Sequence, residues 1–279
     1  MRMVVAGLGY SGAAIAAEAL AAGFSVIGTA RDPSRAVAPA GVELCAFAEA
    51  GPAIAAATHL VVTAAPGEAG CPVLAAHAAA IAATSGLRWI GYLSTTGVYG
   101  DRDGGEVREA TAPTPGQPRS IERLAAEDAW RQAVGGAALD LFRVGGIYGP
   151  GRSPLEDLRR GTARRVVKPG HAFSRIHRDD IALAVVTAAR QGGQGQRVLH
   201  LVDDEPAPNA DVVAEAARLL GVTPPPEIPF AEAAQAMSPM ALSFWAENRR
   251  VANAQTKAAL RLEWRYPTYR AGLAAILAG

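Results

Sequence analysis

Gly7-Leu8-Gly9-Tyr10-Ser11-Gly12 follows a short apolar run, Met3-Val4-Val5-Ala6, and precedes an Ala-rich helical stretch from Ala13 to Ala22 that stops at Gly23. A second strand-like run, Ser25-Val26-Ile27-Gly28-Thr29, then closes on Arg31. The six residues alone are a weak signal. Strand, glycine turn, helix and strand within about 30 residues are a strong one, the signature of a unit that binds the pyrophosphate of a dinucleotide. Gly7 permits the sharp turn off the strand, Gly9 leaves the backbone bare toward the phosphates, and Gly12 lets the helix pack close to the sheet. The helix start near Tyr10 and Ser11 presents free N–H groups and the positive end of the helix dipole.

The end of the second strand selects the cofactor. NAD-binding units place an acidic residue about 20 residues past the turn, on the ribose 2′-hydroxyl. Here the strand ends Thr29-Ala30-Arg31. A guanidinium binds a 2′-phosphate by charge-assisted, often bidentate hydrogen bonds, each contributing roughly 1.5–3 kcal/mol. NADP(H) is therefore expected in preference to NAD(H). Asp32 is the competing signal: a two-residue slip of the loop would bring its carboxylate to the ribose and reverse the preference.

The 279 residues are 50% hydrophobic and 19% charged, an ordinary globular balance, and the net charge of +1 gives no general attraction to nucleic acid. The two cysteines, Cys45 and Cys71, form no metal-like or redox pair, and no segment has metal-ligand spacing, so no metal is expected. The Ala-rich segment 13–22 is too short to span a membrane. Met1-Arg2 runs directly into the first strand, which leaves no room for a signal peptide, and reduced thiols then point to the cytoplasm.

Further along, strand-like runs alternate with helical ones. Strands are predicted at Glu43–Ala46, His59–Val62, Arg88–Leu93 and Leu139–Arg143, and helices over 48–57, 71–84 and about 120–134. This alternation predicts an α/β fold, a doubly wound parallel sheet with right-handed crossovers. Ligands in such sheets sit beyond the carboxyl ends of the strands, which gathers Gly7–Gly12, Ala64-Ala65-Pro66, Ser94–Tyr99 and Val144–Tyr148 around one crevice. The dinucleotide-binding domain is assigned to 1–150, with elements of 175–205 returning to it. Residues 151–279 form a smaller, mainly substrate-covering region. Ala112–Pro118 and Thr223–Pro229 read as loops.

Several segments together resemble the extended short-chain dehydrogenase/reductase family, the epimerase/dehydratase group. They are the glycine turn, Leu93-Ser94-Thr95-Thr96-Gly97-Val98-Tyr99-Gly100, Phe142-Arg143-Val144-Gly145-Gly146-Ile147-Tyr148-Gly149-Pro150-Gly151, Arg175-Ile176-His177-Arg178-Asp179-Asp180-Ile181-Ala182, and a tail from Arg249 through Trp264 to Tyr269. The turn and tail look most like the atypical subgroup described as sugar-nucleotide-epimerase-like. The resemblance implies a Ser/Thr, Tyr, Lys catalytic set. It places Thr95 at the Ser/Thr position, where its hydroxyl orients the substrate. The Tyr-x-x-x-Lys segment falls on Arg119-Ser120-Ile121-Glu122-Arg123, with Arg119 in place of Tyr and Arg123 in place of Lys.

Arginine stays protonated at neutral pH and is a poor general base. Arg123 retains the capacity to hold the ribose, and Arg119 to clamp an anion. Tyr99, Tyr148, His177 and Tyr10 are the remaining proton-transfer candidates, with Tyr148 and His177 expected on the substrate side. The expected cofactor contacts are thus Gly7, Gly9, Tyr10, Ser11, Gly12, Thr29, Arg31, Ala64, Ala65, Pro66, Thr95, Arg123 and Val144.

Weaker signals receive their plainer reading. Arg152, Arg159, Arg160, Arg164, Arg165 and Lys168 read as a solvated face with a Glu156–Arg160 pair, rather than an anion clamp. Met237, Met240, Phe244 and Trp245, in a loop-like region, read as core packing ahead of a substrate-pocket lining, and Asp103, Glu106 and Glu109 as surface charges. Two functions are carried forward. One is an NAD(P)-dependent oxidoreductase or epimerase-like enzyme acting on a small polar or nucleotide-sugar-like molecule. The other is a non-catalytic dinucleotide sensor. The resemblance also implies that two copies pair through helices flanking the crevice.

Overall fold

A computed structural model describes residues 1–279. The first half alternates as the pattern requires: β1 (Arg2–Ala6), α1 (Tyr10–Ala21), β2 (Ser25–Ala30), β3 (Glu43–Ala46), α2 (Gly51–Ala55), β4 (His59–Val62), α3 (Pro72–Ala82), β5 (Trp89–Thr95), β6 (Glu106–Val107), α4 (Pro118–Ala133) and β7 (Ala138–Val144). The second half contains β8 (Gly146–Tyr148), α5 (Pro154–Arg159), β9 (Arg165–Val167), β10 (Arg175–His177), α6 (Arg178–Gln191), β11 (Gln196–Leu201) and α7 (Asn209–Leu220). It ends with β12 (Glu227–Pro229), α8 (Phe230–Ala233), α9 (Pro239–Trp245), β13 (Arg250–Val251), α10 (Ala254–Leu260) and α11 (Tyr269–Ala278).

Seven strands form one parallel sheet in the order β11-β7-β5-β4-β1-β2-β3. The chain winds outward in both directions from β1, so the strand order reverses between β1 and β4, where a doubly wound sheet opens its ligand crevice. The α/β, doubly wound expectation therefore holds.

The two-residue period of each strand divides the core. Met3 and Val5 of β1 face one side, with Val61, Trp89 and Phe142, against Ile15 of α1 and Ile181 and Val185 of α6. Val4 and Ala6 face the other, with Leu60, Val62 and Tyr92, against Ile54 of α2, Val73 of α3 and Trp130 of α4. Beyond the sheet, short parallel pairs link distant segments: β8 with β10, β9 with β12, and β6 with β13.

Several local expectations need correction. The helix predicted over 48–57 shortens to α2, preceded by a 3-10 turn at Phe47–Glu49, with Pro52 in the first turn of α2. Residues 239–245 are helical rather than loop-like, capped by the Ser238 hydroxyl on the Ala241 N–H. Glu227–Pro229, read as loop, pairs with β9. Arg160 pairs with Asp157 at 2.6 Å instead of Glu156. The Glu156 carboxylate turns back to accept from the Ser153 hydroxyl and the Gly151 N–H, while the Ser153 hydroxyl oxygen caps α5 by accepting the Leu155 N–H.

Glu109 is no surface charge. It is 8% exposed, and its Oε1 accepts from both the backbone N–H and the hydroxyl of Thr256, at 3.1 and 2.7 Å. No local pattern could reveal a partner 147 residues away.

Candidate functional site

The glycine turn is built by its neighbours. Gly7 has φ +110°, a conformation that favours glycine, and its N–H donates to the buried Thr29 hydroxyl at 3.1 Å. A β-carbon at Gly12 would sit 2.1 Å from the Gly7 carbonyl oxygen, so that residue has no room for a side chain. Gly9 is different: a β-carbon there would meet nothing within 4 Å. No side chain caps α1 and no acid lies in its first turn. Bare backbone at Gly9 and uncapped N–H groups beyond it form a concave, donor-rich cradle that fits a pyrophosphate.

Arg31, just past the end of β2, and Arg35, in the 3-10 turn Pro33–Arg35 that follows, are exposed and without ion-pair partners. Asp32 is occupied locally: its Oδ1 accepts from the Ser34 N–H at 3.1 Å and the Ser34 hydroxyl at 2.6 Å. The two-residue slip that would present Asp32 to a ribose is thus opposed by its own turn. Sequence reading missed Arg35, although its spacing from Arg31 was in plain view.

Beyond the carboxyl ends of β4, β5 and β7 lies a cavity of about 370 Å³. Ala65, Pro66, Thr95, Arg119, Arg123 and Val144 all line it. Thr95 ends β5, where its Oγ1 accepts the Gly97 N–H at 3.1 Å and caps a 3-10 turn over Thr96–Tyr99. Arg119 and Arg123 stand one turn apart on α4. Arg123 donates through Nη1 to the Leu93 carbonyl at 2.6 Å, which ties α4 to β5. The Arg119 guanidinium carbon lies 4.7 Å from the centroid of the Phe244 ring.

In the cavity's second wall, Phe244 takes the lesser of its two readings, a pocket lining. Phe244 belongs to α9 and is 55% exposed, so it is no core residue, whereas Trp245 beside it is buried. Glu247 and Arg249 follow, paired at 2.8 Å, with Arg249 also donating to the Gly100 carbonyl. These walls come from opposite ends of the chain, and only tertiary folding joins them.

Tyr148 does not reach this cavity. It is 6% exposed, its hydroxyl points to the Thr268 carbonyl and the surface of Gly272, and burial raises its pKa. His177 is also buried. Its Nδ1 caps α6 by accepting the Asp179 N–H, its ring packs on Tyr148 and Tyr266, and burial pushes its pKa down to about 4. Tyr99 is enclosed between Arg143 and His200, at 2.8 and 2.5 Å. Tyr10 sits at the start of α1 instead, donating to the Pro150 carbonyl with the Arg178 guanidinium over its ring.

The ionisable groups lining the cavity are therefore Arg119, Arg123, Arg249, Glu122 and Glu247, with no Tyr, His, Lys or Cys among them. No group of three or more His, Cys, Asp or Glu side chains is placed to hold a metal.

A conserved protein of unknown function from Silicibacter pomeroyi DSS is 42% identical, with 99% of this chain covering 98% of that one at a TM-score of 0.89. The chain belongs to the same family as that protein. Its fold is that of the extended short-chain dehydrogenase/reductases, shared with the human epimerase family protein SDR39U1 solved with NADPH (20% identity, full coverage of both chains, TM-score 0.80). The chain is also similar to a 3-diazoavenalumate denitrifying reductase from Streptomyces, 33% identical over 170 residues, which are 58% of this chain and 54% of that protein. The chain spans about half the length of the curated relatives it matches. No protein-family model matches it. No helix is long and apolar enough to cross a membrane.

Proposed function

We propose that the chain is an NADP(H)-dependent oxidoreductase acting on a small anionic molecule in the cavity beyond β4, β5 and β7. The observation that carries this reading is the pairing of an uncapped glycine turn with an unpartnered Arg31 at the end of β2, where NAD-binding units carry an acid. Arg35, in the 3-10 turn that follows, is a second exposed and unpaired cation in this segment. Support also comes from the NADPH-bound human structure and from the reductase name of the Streptomyces relative.

In this reading Gly9, Ser11 and Gly12 hold the pyrophosphate, and Arg31 and Arg35 the 2′-phosphate. Thr95, Arg123 and Val144 border the nicotinamide end. A bound nicotinamide supplies hydride exchange. The protein's own contribution is to orient the substrate on Thr95 and hold its charge with Arg119. A pocket of 370 Å³ lies at the small end of the roughly 300–1,000 Å³ found for ligand sites. It favours a small acid over a nucleotide sugar.

A second reading, a dinucleotide sensor, is favoured by the lining itself, which has no Tyr, His, Lys or Cys to carry a proton at neutral pH.

Fluorescence titration with NADPH and NADH tests the cofactor assignment. Arg31→Ala is expected to weaken NADPH binding about tenfold or more while leaving NADH within about twofold, as loss of one charge-assisted contact predicts. Equal loss for both dinucleotides overturns the preference. Turnover of a panel of small acids, aldehydes and ketones by the NADPH-saturated protein separates enzyme from sensor.

A further inference from the structure

We infer that the cavity recognises an aromatic carboxylate, with Arg119 as the carboxylate-binding residue and Phe244 as the surface for the ring. This deepens the reading above, since it names the substrate class of the same cavity.

The charges come first. Three arginines line the cavity, but they are not equivalent. Arg249 is committed to Glu247 at 2.8 Å and to the Gly100 carbonyl at 2.8 Å. Arg123 spends one nitrogen on the Leu93 carbonyl. Arg119 has neither an ion pair nor a hydrogen-bond partner and is exposed. Glu122 lies one residue from Arg123 and also makes no ion pair, so the α4 wall presents two cations and one anion. Arg119 and Arg123 are four residues apart, on one face of α4. A guanidinium with its whole edge free offers a planar fork that matches a carboxylate in two parallel hydrogen bonds.

The apolar side comes second. Phe244 is 55% exposed and Met240, one turn earlier on α9, is 60% exposed. Residues four apart share a helix face, so Phe244, which lines the cavity, continues away from it into Met240 as an exposed apolar strip of α9. The Arg119 guanidinium lies over the Phe244 ring at 4.7 Å. That contact holds the fork beside an open aromatic surface. A ligand that couples a carboxylate to a flat ring satisfies both at once: the carboxylate takes the fork, and the ring covers the exposed apolar strip. Further polar substituents on the ligand would meet the Ser, Thr and Gln side chains that also line the cavity, Ser243 beside Phe244 among them.

The test is calorimetric titration with three probes: trans-cinnamate, its uncharged analogue cinnamamide, and the saturated acid 3-cyclohexylpropionate. Each is run against the full chain with and without saturating NADP⁺. Cinnamate is expected to bind about tenfold more tightly than cinnamamide, the effect of about one charge-assisted contact. It should bind more tightly than the saturated acid as well. Arg119→Gln should abolish the preference for acid over amide, and Phe244→Ala the preference for aromatic over saturated acid. NADP⁺ affinity should be unmoved in both variants. Equal binding of acid and amide, or no cinnamate binding to a protein that does bind NADP⁺, overturns the inference and leaves the cofactor reading standing. Failure of NADP⁺ to bind overturns the cofactor reading, and the cinnamate titration without NADP⁺ then decides the carboxylate site independently.

Discussion

Gly9 and Gly12 lie three residues apart in one turn, yet the structure assigns them opposite kinds of necessity. A β-carbon at Gly12 would collide with the Gly7 carbonyl oxygen at 2.1 Å, whereas at Gly9 it would meet nothing within 4 Å. Backbone cannot yield as the tip of a side chain does, so Gly12→Ala is expected to destabilise the protein by about 1–3 kcal/mol, the usual penalty of overpacking. Gly9 has φ −87°, which alanine adopts freely. Gly9→Ala should keep stability within about 0.5 kcal/mol, as at unobstructed surface positions, and still lose most of its dinucleotide affinity. Thermal denaturation and NADPH titration of both variants check the contrast. If Gly9→Ala binds NADPH normally, Gly9 does not face a phosphate. The G-x-G-x-x-G motif was fully legible as a pattern. The pattern also told the packing glycine, Gly12, from the open one, Gly9; what it could not carry is which atoms crowd Gly12, the Gly7 carbonyl and the Thr63 hydroxyl, because Thr63 is brought there by the end of β4.

At the scale of elements, the legible part is what the period of two and the period of 3.6 can encode. The seven sheet strands had local signatures or a place among the returning elements. α4 was visible from about Ser120, whereas the placement of Arg119 and Arg123 four residues apart on it came from the family resemblance and not from periodicity. α9 escaped because seven residues, Pro239–Trp245, carry too little periodicity to stand out from a loop. Tyr148 was misplaced for a related reason: β8 has three residues, and which face of so short a strand meets the cavity is decided by β10 and α11 packing on it. The late elements are fastened by specific contacts. Asp180, buried in the first turn of α6, accepts the Arg265 N–H at 2.7 Å and the Tyr266 N–H at 3.0 Å. Arg265 in turn forks onto Glu18 of α1 at 3.0 and 2.6 Å. Two carboxylates, Asp180 of α6 and Glu18 of α1, thus pin the segment before α11 to two sheet-packing helices. Asp180→Ala leaves two backbone donors without their partner and should cost about 1–3 kcal/mol each where burial denies them water. Arg265→Ala removes a partly exposed ion pair and should cost no more than about 1 kcal/mol. Urea denaturation of the two variants should keep that order, and a larger loss for Arg265→Ala would mean that the ion pair, not the backbone pinning, holds the tail.

Across the whole molecule, the sheet and the cavity wall built from the second half meet along buried polar groups, and these set how stability responds to pH. Asp203 follows β11 and is 1% exposed. Its N–H donates to the Arg175 carbonyl of β10, and its Oδ1 accepts the Glu205 N–H. Burial is the dominant influence and pushes its carboxyl pKa up to about 8, against the lowering effect of Arg175 and with Asp204 and Glu205 nearby. An unfolded aspartate titrates near about 3.9. The unfolded chain therefore releases this proton first, and stability falls as pH rises from about 4 to about 8. Asp180, pushed up to about 6 by burial, acts in the same sense over the lower part of that range. His177 opposes them: with its pKa held down at about 4, it adds stability as pH rises toward the unfolded histidine value near 6.5. Below pH 6.5 the three contributions overlap. His59, His171 and His200, whose pKa values burial also lowers, act in the same sense as His177. Between about 7.5 and 8.5 these histidines and Asp180 have largely finished titrating in either state, and Asp203 is the main one of these groups still to titrate. The melting temperature is thus expected to decline across that upper window at fixed ionic strength. Asp203→Asn, which keeps the shape and removes the titration, should flatten it. A decline that survives in the Asn variant would place its origin in another group and leave Asp203 ionised in the folded protein.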